Sequence, residues 1–339
     1  MSRVLITGGA GFIGAHLAAR LVEEGLEVDL VDDFSRAVRD AGLASLHDSG
    51  RVHVLERDLR LPHALDDLDE PYGHVVHLAA IVGVARVARQ PLAVLSDSVT
   101  MLQNVVATAA RQPALERMVF LSTSEVYAGT LEEGLLTVPT PEGVPIVVPP
   151  RERPRTSYML SKLYGEALCL SSGVPVTIVR PHNFYGPRMG MSHVIPELLS
   201  RAHATPDGGS LEVYSVDHRR TFCFIDDAVE LVLRAALAPE GEGRVLNAGA
   251  QEPEWTIGEV AEIVCRTVGR RLEIVPLPAT PGSPLRRAPD LSEIRALTGY
   301  TPTVGLEEGV RRTYDWYRDN VFSSDDVPLA PLGSPRSQR

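Results

Sequence analysis

The chain contains 339 residues, of which 44% are hydrophobic and 23% charged, and its formal net charge is −11. This length is sufficient for one large domain or two unequal domains with a substantial buried core. The acidic balance argues against nucleic acid as the main partner, because binding a phosphate backbone requires a surplus of Lys and Arg. An anionic small molecule is compatible with it, since such a ligand needs only a few of the 33 Lys and Arg residues.

The three cysteines, Cys169, Cys223 and Cys265, form neither a CxxC pair nor a cluster with histidine. Neither a metal site nor a disulfide framework is therefore expected, and we predict buried thiols in a reducing cytoplasm. The N-terminus enters a predicted strand almost at once and shows no signal-peptide pattern. No membrane span is expected, because the sequence has no run of about 18 apolar residues.

Short apolar segments alternate with longer amphipathic segments through residues 1–125. This alternation predicts an α/β fold with a doubly wound parallel sheet of the Rossmann type and right-handed crossovers. The predicted strands are 3–7, 27–31, 52–55, 74–78 and 118–121, and the clearest predicted helices are 12–24 and 92–111.

Residues 131–155 contain six of the 26 prolines, which excludes a long helix and predicts a surface excursion near a site. A helix at 157–171 and a strand at 176–180 follow. After Pro181 the alternation weakens, which predicts a smaller C-terminal lobe that completes a cleft. Its predicted helices are 194–202, 226–238, 256–268 and 306–320, and its predicted strands are 211–214, 245–247 and 272–275.

A glycine-rich loop stands between the first strand and the first helix. Gly8, Gly11 and Gly14 have GxxGxxG spacing, and Phe12 and Ile13 open the helix. Glycines allow the backbone to approach a pyrophosphate closely, and the N-terminus of the helix then faces the negative charge. The strand-turn-helix context makes this loop a dinucleotide-binding site.

An acidic residue ends the second predicted strand. The carboxylate of Asp32 can accept hydrogen bonds from ribose hydroxyls and would repel a 2′-phosphate, so NAD is favoured over NADP. Asp33 is adjacent and could share this role, whereas Arg36 is a counter-argument because a nearby arginine can accept a 2′-phosphate.

Two further strand ends are candidates for contacts with the dinucleotide. Asp58 and Leu59 follow the third strand and are expected to flank the adenine. Leu78, Ala79 and Ala80 end the fourth strand, where small side chains let the cofactor backbone pass close by.

Tyr158 and Lys162 form a YxxxK motif, which on a helix places both side chains on one face. The lysine ammonium is expected to lower the phenol pKa, so that Tyr158 can remove a proton from a sugar hydroxyl during hydride transfer. Thr123, just after the fifth strand, is predicted to hydrogen-bond that hydroxyl. Glu125 could act as a general base toward a carbon next to the ketone.

With these motifs in place, residues 3–320 resemble an extended short-chain dehydrogenase/reductase of the nucleotide-sugar epimerase/dehydratase family. Beyond the residues above, the resemblance includes the segment Arg180-Pro181-His182-Asn183-Phe184-Tyr185-Gly186-Pro187. It implies that Tyr158 is the acid/base and that Lys162 binds the nicotinamide ribose. The substrate contacts that it implies are Ser124, Asn183, Arg220 and Arg287.

The two implied arginines suit a diphosphate, because guanidinium groups bind phosphate oxygens bidentately. The predicted partner is a UDP- or GDP-linked sugar, and the predicted assembly is a homodimer through the helices near 92–111 and 157–171. The domains follow: residues 1–180 bind NAD and carry the YxxxK motif, 181–322 form mainly the substrate-binding lobe, with some segments returning to the sheet, and 323–339 are a disordered tail.

The expected function is that of an NAD-dependent nucleotide-sugar epimerase, acting through a keto-sugar oxidised at C4 and recycling its NADH. The alternatives are a UDP-glucuronate-type decarboxylase and a nucleotide-sugar dehydratase. Residues 122–127, 154–155 and 287–290 are similar to UDP-glucuronate decarboxylases, but Ser98, Ala128, His182 and the long apolar stretch between Tyr127 and Tyr158 depart from them. Dehydratases typically carry Asp-Glu at residues 124–125. A non-catalytic sensor is disfavoured by the intact catalytic residues.

Overall fold

A computed structural model describes residues 3–68, 71–83, 87, 89–150, 152–280 and 283–323. Its strands, numbered along the chain, are β1 (Arg3–Thr7), β2 (Glu27–Asp32), β3 (Val52–Glu56), β4 (Tyr72–His77), β5 (Arg117–Leu121), β6 (Val176–Pro181), β7 (Phe184–Tyr185), β8 (Ser210–Tyr214), β9 (Arg219–Arg220), β10 (Cys223–Phe224), β11 (Val245–Ala248), β12 (Trp255–Thr256), β13 (Glu273–Leu277) and β14 (Arg286–Arg287).

Seven of these strands form one parallel sheet in the order β3-β2-β1-β4-β5-β6-β11. The chain winds outward in one direction from β1 and in the other from β4, so the strand order reverses between these two strands. Ligands of such sheets bind outside the carboxyl ends of the strands at this reversal. The predicted Rossmann-type fold is confirmed, and β11 shows that the C-terminal half returns to the sheet.

Helices cover both faces of the sheet. In chain order the described helices are α1 (Phe12–Glu23), α2 (Ala41–Asp48), α3 (Pro91–Ala110), α4 (Ala128–Glu132), α5 (Pro154–Leu170), α6 (Val194–Ala204), α7 (Ile225–Leu237), α8 (Ile257–Val268), α9 (Ser292–Thr298) and α10 (Leu306–Tyr317). Of these, α6, α8 and α10 belong to the C-terminal half and pack on one another rather than on the large sheet. Alternation along a strand divides the apolar side chains between the two faces. In β1, Val4 and Ile6 pack in the core beneath α1 and α7, whereas Leu5 packs in the core beneath α3 and α5.

Helix α3 is the one helix among the described residues that is long and apolar enough to cross a membrane by length and composition. No membrane span is predicted from the sequence. Seven of the helix residues are buried, among them Val94, Met101 and Val105, and they belong to the core beneath α5. A helix buried in a protein core has the same apolar character, and its packing accounts for it here.

The C-terminal half builds small sheets around the carboxyl edge of the large one. Strand β9 pairs with β12 and β14, β7 pairs with β10, and β8 pairs with β13. Helix α8 starts at a capping box formed by Thr256 and Glu259, and it ends at Gly269, whose φ of 73° is readily adopted by glycine. The predicted domain boundaries stay a prediction, and of the predicted tail only Ser323 lies among the described residues.

The loop after α9 is held to α7 by a single buried carboxylate. Asp227, 1% exposed, accepts hydrogen bonds from the Tyr300 hydroxyl, from both the amide and the hydroxyl of Thr303, and from the Val304 amide. We expect Asp227→Ala to lower the free energy of unfolding by about 3 kcal/mol, because it leaves several buried donors unpaired. Chemical denaturation measures this.

The neighbouring residue gives the matched control for this prediction. Asp226 is half-exposed and pairs with Arg312 at the surface. Asp226→Ala should change the free energy of unfolding by less than about 1 kcal/mol, as is usual for an exposed ion pair. Equal losses in the two variants would contradict a special role for the buried carboxylate.

Candidate active site

The glycine-rich loop connects β1 to α1 at the strand reversal. Gly8 has a φ of 67°, and a Cβ there would lie 2.7 Å from the Ala79 nitrogen. The Gly8 and Gly9 amides donate to the Val31 carbonyl oxygen at 2.8 and 3.2 Å, which ties the loop to the end of β2. No side chain caps the N-terminus of α1, and its first turn holds no acidic residue. This open cradle fits a pyrophosphate.

The Asp32 carboxylate lies against this loop. It accepts hydrogen bonds from the Ala10 amide at 3.2 Å and the Phe34 amide at 2.9 Å. Burial raises the pKa of Asp32, and these hydrogen bonds partly oppose that effect. Asp33 is exposed and accepts from the Ser35 amide, while the exposed Arg36 donates to the Val82 carbonyl oxygen at 3.1 Å. Asp32 is therefore better placed than Asp33 to meet a ribose.

Replacing Asp32 tests which carboxylate selects the cofactor. We expect Asp32→Ala to weaken NAD binding about tenfold, the usual effect of losing a charge-assisted hydrogen bond, and to reduce the preference over NADP. Asp33→Ala is the control and should change the NAD dissociation constant less than about twofold. Calorimetric titration with both dinucleotides measures this, and unchanged NADP exclusion in Asp32→Ala would contradict the assignment.

The remaining predicted cofactor residues lie at neighbouring strand ends. Both carboxylate oxygens of Asp58 accept hydrogen bonds from Arg60, at 2.7 and 2.8 Å, which lowers the Asp58 pKa. The Leu59 side chain is buried. The Leu78 amide donates to the Thr7 carbonyl oxygen, and the segment Leu78-Ala79-Ala80 then runs beside the glycine loop.

Tyr158 and Lys162 lie on α5, facing the end of β5. Burial and the charge of Glu125 raise the Tyr158 pKa, while a hydrogen bond with the Thr123 side chain acts in the opposite direction. Burial lowers the Lys162 pKa to about 8, and its ammonium donates to the Leu121 carbonyl oxygen at 2.6 Å. Burial thus has the largest effect on the Tyr158 pKa and acts against the predicted lowering by Lys162, which stays a prediction.

Glu125 lies in the short 3-10 turn Ser124–Tyr127 that follows Thr123. Its carboxylate is half-buried and forms an ion pair with the exposed Arg155, which lies about one helical turn before Tyr158 on α5. Its charge also acts on the Arg287 guanidinium. Arg155 is not among the predicted site residues, although its i,i+3 spacing from Tyr158 indicates that the two side chains share one helix face.

Arg220 and Arg287 lie side by side, since β9 and β14 pair in parallel with these two residues opposite each other. Arg220 donates to the Ser283 hydroxyl and the Pro284 carbonyl oxygen, and Arg287 donates to the Asn183 side-chain oxygen at 2.6 Å. Burial and the charge of Arg287 lower the Arg220 pKa to about 10.

Neither guanidinium forms an ion pair with a carboxylate of the described residues, and the buried Nε of Arg287 has no hydrogen-bond partner there. Two adjacent guanidinium groups that form no direct ion pair with a described carboxylate have the chemistry to bind an anion. Asn183 supports the site with a left-handed backbone, φ 45°, while its side-chain amide donates to the Thr221 carbonyl oxygen at 2.8 Å.

The structure thus groups the predicted residues at the carboxyl edge of the sheet. The catalytic candidates adjoin the buried Ser124, and Glu125 connects them electrostatically to Arg287. Within the described part of the chain, no cluster of three or more His, Cys, Asp or Glu could hold a metal ion. All three cysteines are free and buried, as predicted.

A doubly wound sheet, an uncapped glycine loop beside Asp32 and a helical Tyr-Lys pair define a short-chain dehydrogenase/reductase. Residues 4–249 match the NAD dependent epimerase/dehydratase family, and the chain belongs to that family. Its cofactor is NAD.

Two named relatives and one solved structure are similar to the chain over most of its length. The chain is 32% identical over 333 residues to UDP-N-acetyl-alpha-D-glucosaminuronate decarboxylase of Bacillus cytotoxicus, covering 94% of this chain and 98% of the relative. It is 30% identical over 349 residues to UDP-glucuronic acid decarboxylase 1 of Xenopus tropicalis, covering 98% and 76%. The structure of UDP-glucuronic acid 4-epimerase from Bacillus cereus with UDP-glucuronic acid and NAD matches with a TM-score of 0.79 and 25% identity, covering 94% of this chain and 99% of that one.

Proposed function

We propose that this protein is an NAD-dependent decarboxylase of a UDP-linked uronate, acting through a keto-sugar intermediate. The sequence patterns favour an epimerase first and a UDP-glucuronate-type decarboxylase second. Two relatives that align over nearly the whole chain are decarboxylases of UDP-uronates, and they favour the second. A uronate differs from a neutral sugar by one carboxylate, so its site needs an extra cation.

The observation that carries the proposal is the pair Arg220 and Arg287. A diphosphate and a uronate carboxylate are both anions, and each suits a guanidinium fork. Of the two arginines, Arg287 also experiences the charge of Glu125, which in turn acts on Tyr158. We therefore assign the diphosphate to Arg220 and the sugar carboxylate to Arg287.

The residues of the chain supply binding and proton transfer. The glycine loop and Asp32 would hold NAD, which, when bound, supplies the hydride acceptor at C4 and a positive charge beside the phenol. Tyr158, aided by Thr123, takes the proton of the C4 hydroxyl as the ketone forms. The product is a β-keto acid, whose C5–C6 bond breaks to release carbon dioxide and leaves the electron pair in an enolate.

The steps after decarboxylation protonate C5 and restore the hydroxyl group at C4. Tyr158 and Thr123 face the enolate oxygen on C4, where hydrogen bonds stabilise the developing charge. The enolate takes up a proton at C5 that comes from water, and we assign the relay of this proton to the Glu125 carboxylate. Hydride then returns to C4 and Tyr158 returns its proton, so that the net products are carbon dioxide and a UDP-pentose.

The test uses the purified protein with NAD and either UDP-glucuronate or UDP-N-acetylglucosaminuronate. We expect release of carbon dioxide with one of them, a decarboxylated product by NMR and no net accumulation of NADH. UDP-glucose, which lacks the carboxylate, is the control and should release none. A C4 epimer formed without carbon dioxide would instead establish the epimerase, which the match to the UDP-glucuronic acid 4-epimerase structure makes the second candidate.

We also propose that the protein acts as a homodimer in the cytoplasm. The two helices that are predicted to form the dimer interface expose large apolar side chains, namely Leu92 on α3 and Tyr164 and Leu170 on α5. Light scattering in solution tests this assembly, and a monomer at micromolar concentration would contradict it.

A further inference from the structure

A buried group of polar side chains lies behind the catalytic helix. Glu166 follows Lys162 by one helical turn on α5 and is 4% exposed. Its carboxylate accepts a hydrogen bond from the Ser122 hydroxyl and two from the Arg180 guanidinium, at 2.9 and 2.7 Å. The helix that carries Tyr158 is thereby joined to the ends of β5 and β6.

The hydrogen bonds continue away from the helix through Tyr127. Arg180 donates to the Tyr127 hydroxyl oxygen at 2.8 Å, and that hydroxyl donates to the Asn247 side-chain oxygen at 2.9 Å. Asn247, fully buried on β11, then donates through its side-chain amide to the carbonyl oxygens of Thr140, at 2.9 Å, and Asp290, at 3.4 Å.

The far end of this chain lies beside the strand that carries Arg287. The Thr140 amide donates to the Ala288 carbonyl oxygen at 2.9 Å, and the Asp290 amide donates to the Thr140 carbonyl oxygen at 2.8 Å. Thr140 thus pairs with residues 288–290 in the manner of a strand. A continuous set of hydrogen bonds therefore runs from the catalytic helix to residues 288–290, which directly follow Arg287.

We propose that Tyr127 is a positioning residue that sets the separation between Tyr158 on α5 and Arg287 on β14. The Tyr127 hydroxyl accepts a hydrogen bond from Arg180, on the side of the catalytic helix, and donates one to Asn247, on the side of β14. Reaction at C4 requires the sugar to reach Tyr158 while its carboxylate is held by Arg287, and a displacement of about 1 Å can cost a hundredfold in rate. The inference rests on the proposed function only in assigning Arg287 to the substrate.

A second, parallel connection passes through Glu142. Its carbonyl oxygen accepts from Arg180 at 3.2 Å, and its carboxylate accepts from the Asn247 amide at 2.7 Å. His182 adds a contact from the side, with its Nε2 at 3.1 Å from the Asn247 side-chain oxygen. Removing the Tyr127 hydroxyl should therefore weaken the link, and removing the Glu142 carboxylate as well should weaken it further, because only the Glu142 carbonyl oxygen then still joins Arg180 to this segment.

The experiment compares Tyr127→Phe with Tyr72→Phe in the full chain. The Tyr72 side chain is also buried and its hydroxyl donates to Asp29, but Tyr72 lies on β4 and is not one of the residues in the series of hydrogen bonds described above. We expect Tyr127→Phe to slow NADH formation in a single turnover with nucleotide sugar about tenfold, and Tyr127→Phe/Glu142→Ala to slow it further. Tyr72→Phe should lower the thermal midpoint without slowing NADH formation.

Binding measurements separate positioning from general damage. The affinities of Tyr127→Phe for NAD and for UDP should stay within about twofold of the wild type, because each half-site keeps its own contacts. A Tyr127→Phe rate equal to that of Tyr72→Phe would overturn the proposal, as would a fall in UDP affinity in proportion to the rate.

Carbon dioxide release by the wild-type protein tests the proposed function separately from the role of Tyr127. Absence of carbon dioxide rejects the decarboxylase, while NADH formation with any nucleotide sugar that the wild type oxidises still tests Tyr127. Crystal structures of the wild type and the double variant with UDP test it without turnover. Residues 286–290 should shift relative to α5 in the variant, and an unchanged spacing would overturn the inference.

Discussion

Tyr158→Phe is expected to lower turnover about a thousandfold, within the range that general acid–base catalysis contributes. Burial and Glu125 raise the phenol pKa, so Tyr158 must lose its own proton before it can accept the one from the C4 hydroxyl, and the positive charge that NAD brings when bound favours this ionisation. Lys162 is no substitute, because its ammonium donates to the Leu121 carbonyl oxygen. Thr123 has a hydroxyl whose intrinsic acidity is too low to replace a phenol.

Two measurements check this expectation. Single-turnover formation of NADH and release of carbon dioxide should fall together, because both depend on oxidation at C4. NAD affinity and thermal midpoint should change little, since the substitution removes only one hydroxyl. Tyr214→Phe, at a half-exposed tyrosine on β8, is the control and should retain full activity. Unchanged turnover in Tyr158→Phe would remove the catalytic assignment.

The parts of this fold that are encoded locally could be predicted from the sequence. The predicted first strand coincides with β1, because an apolar run followed by glycines leaves few alternatives. The cofactor loop is predicted from the same glycines. Gly8 has a positive φ, and a Cβ added at Gly14 would lie only 2.6 Å from the Gly9 Cα, so neither position readily accepts a larger residue. Helix α2 was not predicted, because its eight residues show only a weak apolar stripe.

The anion site could be located only in part. The sequence resemblance named Arg220 and Arg287, but their adjacency depends on two-residue strands that pair across a long stretch of chain. Such pairing is a tertiary event with no local periodicity to signal it. The same holds for Thr140, which lies in the proline-rich excursion yet is buried beside residues 288–290. The prolines of this segment predict a surface excursion near a site, but they do not predict that Thr140 is buried.

Electrostatic environment was the least predictable property of the site. The YxxxK spacing correctly placed Tyr158 and Lys162 on one helix face, but the direction of the phenol pKa depends on burial. Burial is a sum over many distant segments, and it disfavours both the phenolate and the ammonium here. Lys162 consequently carries a cost in stability that its sequence position does not reveal.

Lys162→Met is therefore expected to abolish turnover and to stabilise the fold near neutral pH. Burial lowers the Lys162 pKa from 10.5 to about 8, so the folded protein holds this proton less tightly than the unfolded chain does. The difference corresponds to about 3 kcal/mol at pH 7. Loss of the hydrogen bond to Leu121 offsets about 1 kcal/mol, which leaves a net gain of about 2 kcal/mol. Methionine has a similar length without the charge.

The pH dependence separates this cause from improved packing. Between about pH 8 and 10.5 the unfolded wild type binds more protons at this position than the folded protein, so its free energy of unfolding rises with pH there. The variant lacks this contribution, and its advantage should shrink as the pH approaches 10.5. Urea denaturation of both proteins at pH 7 and pH 10 measures the change. A variant less stable than the wild type at pH 7 would show that the buried ammonium stabilises the fold, and a pH-independent advantage would assign the gain to packing.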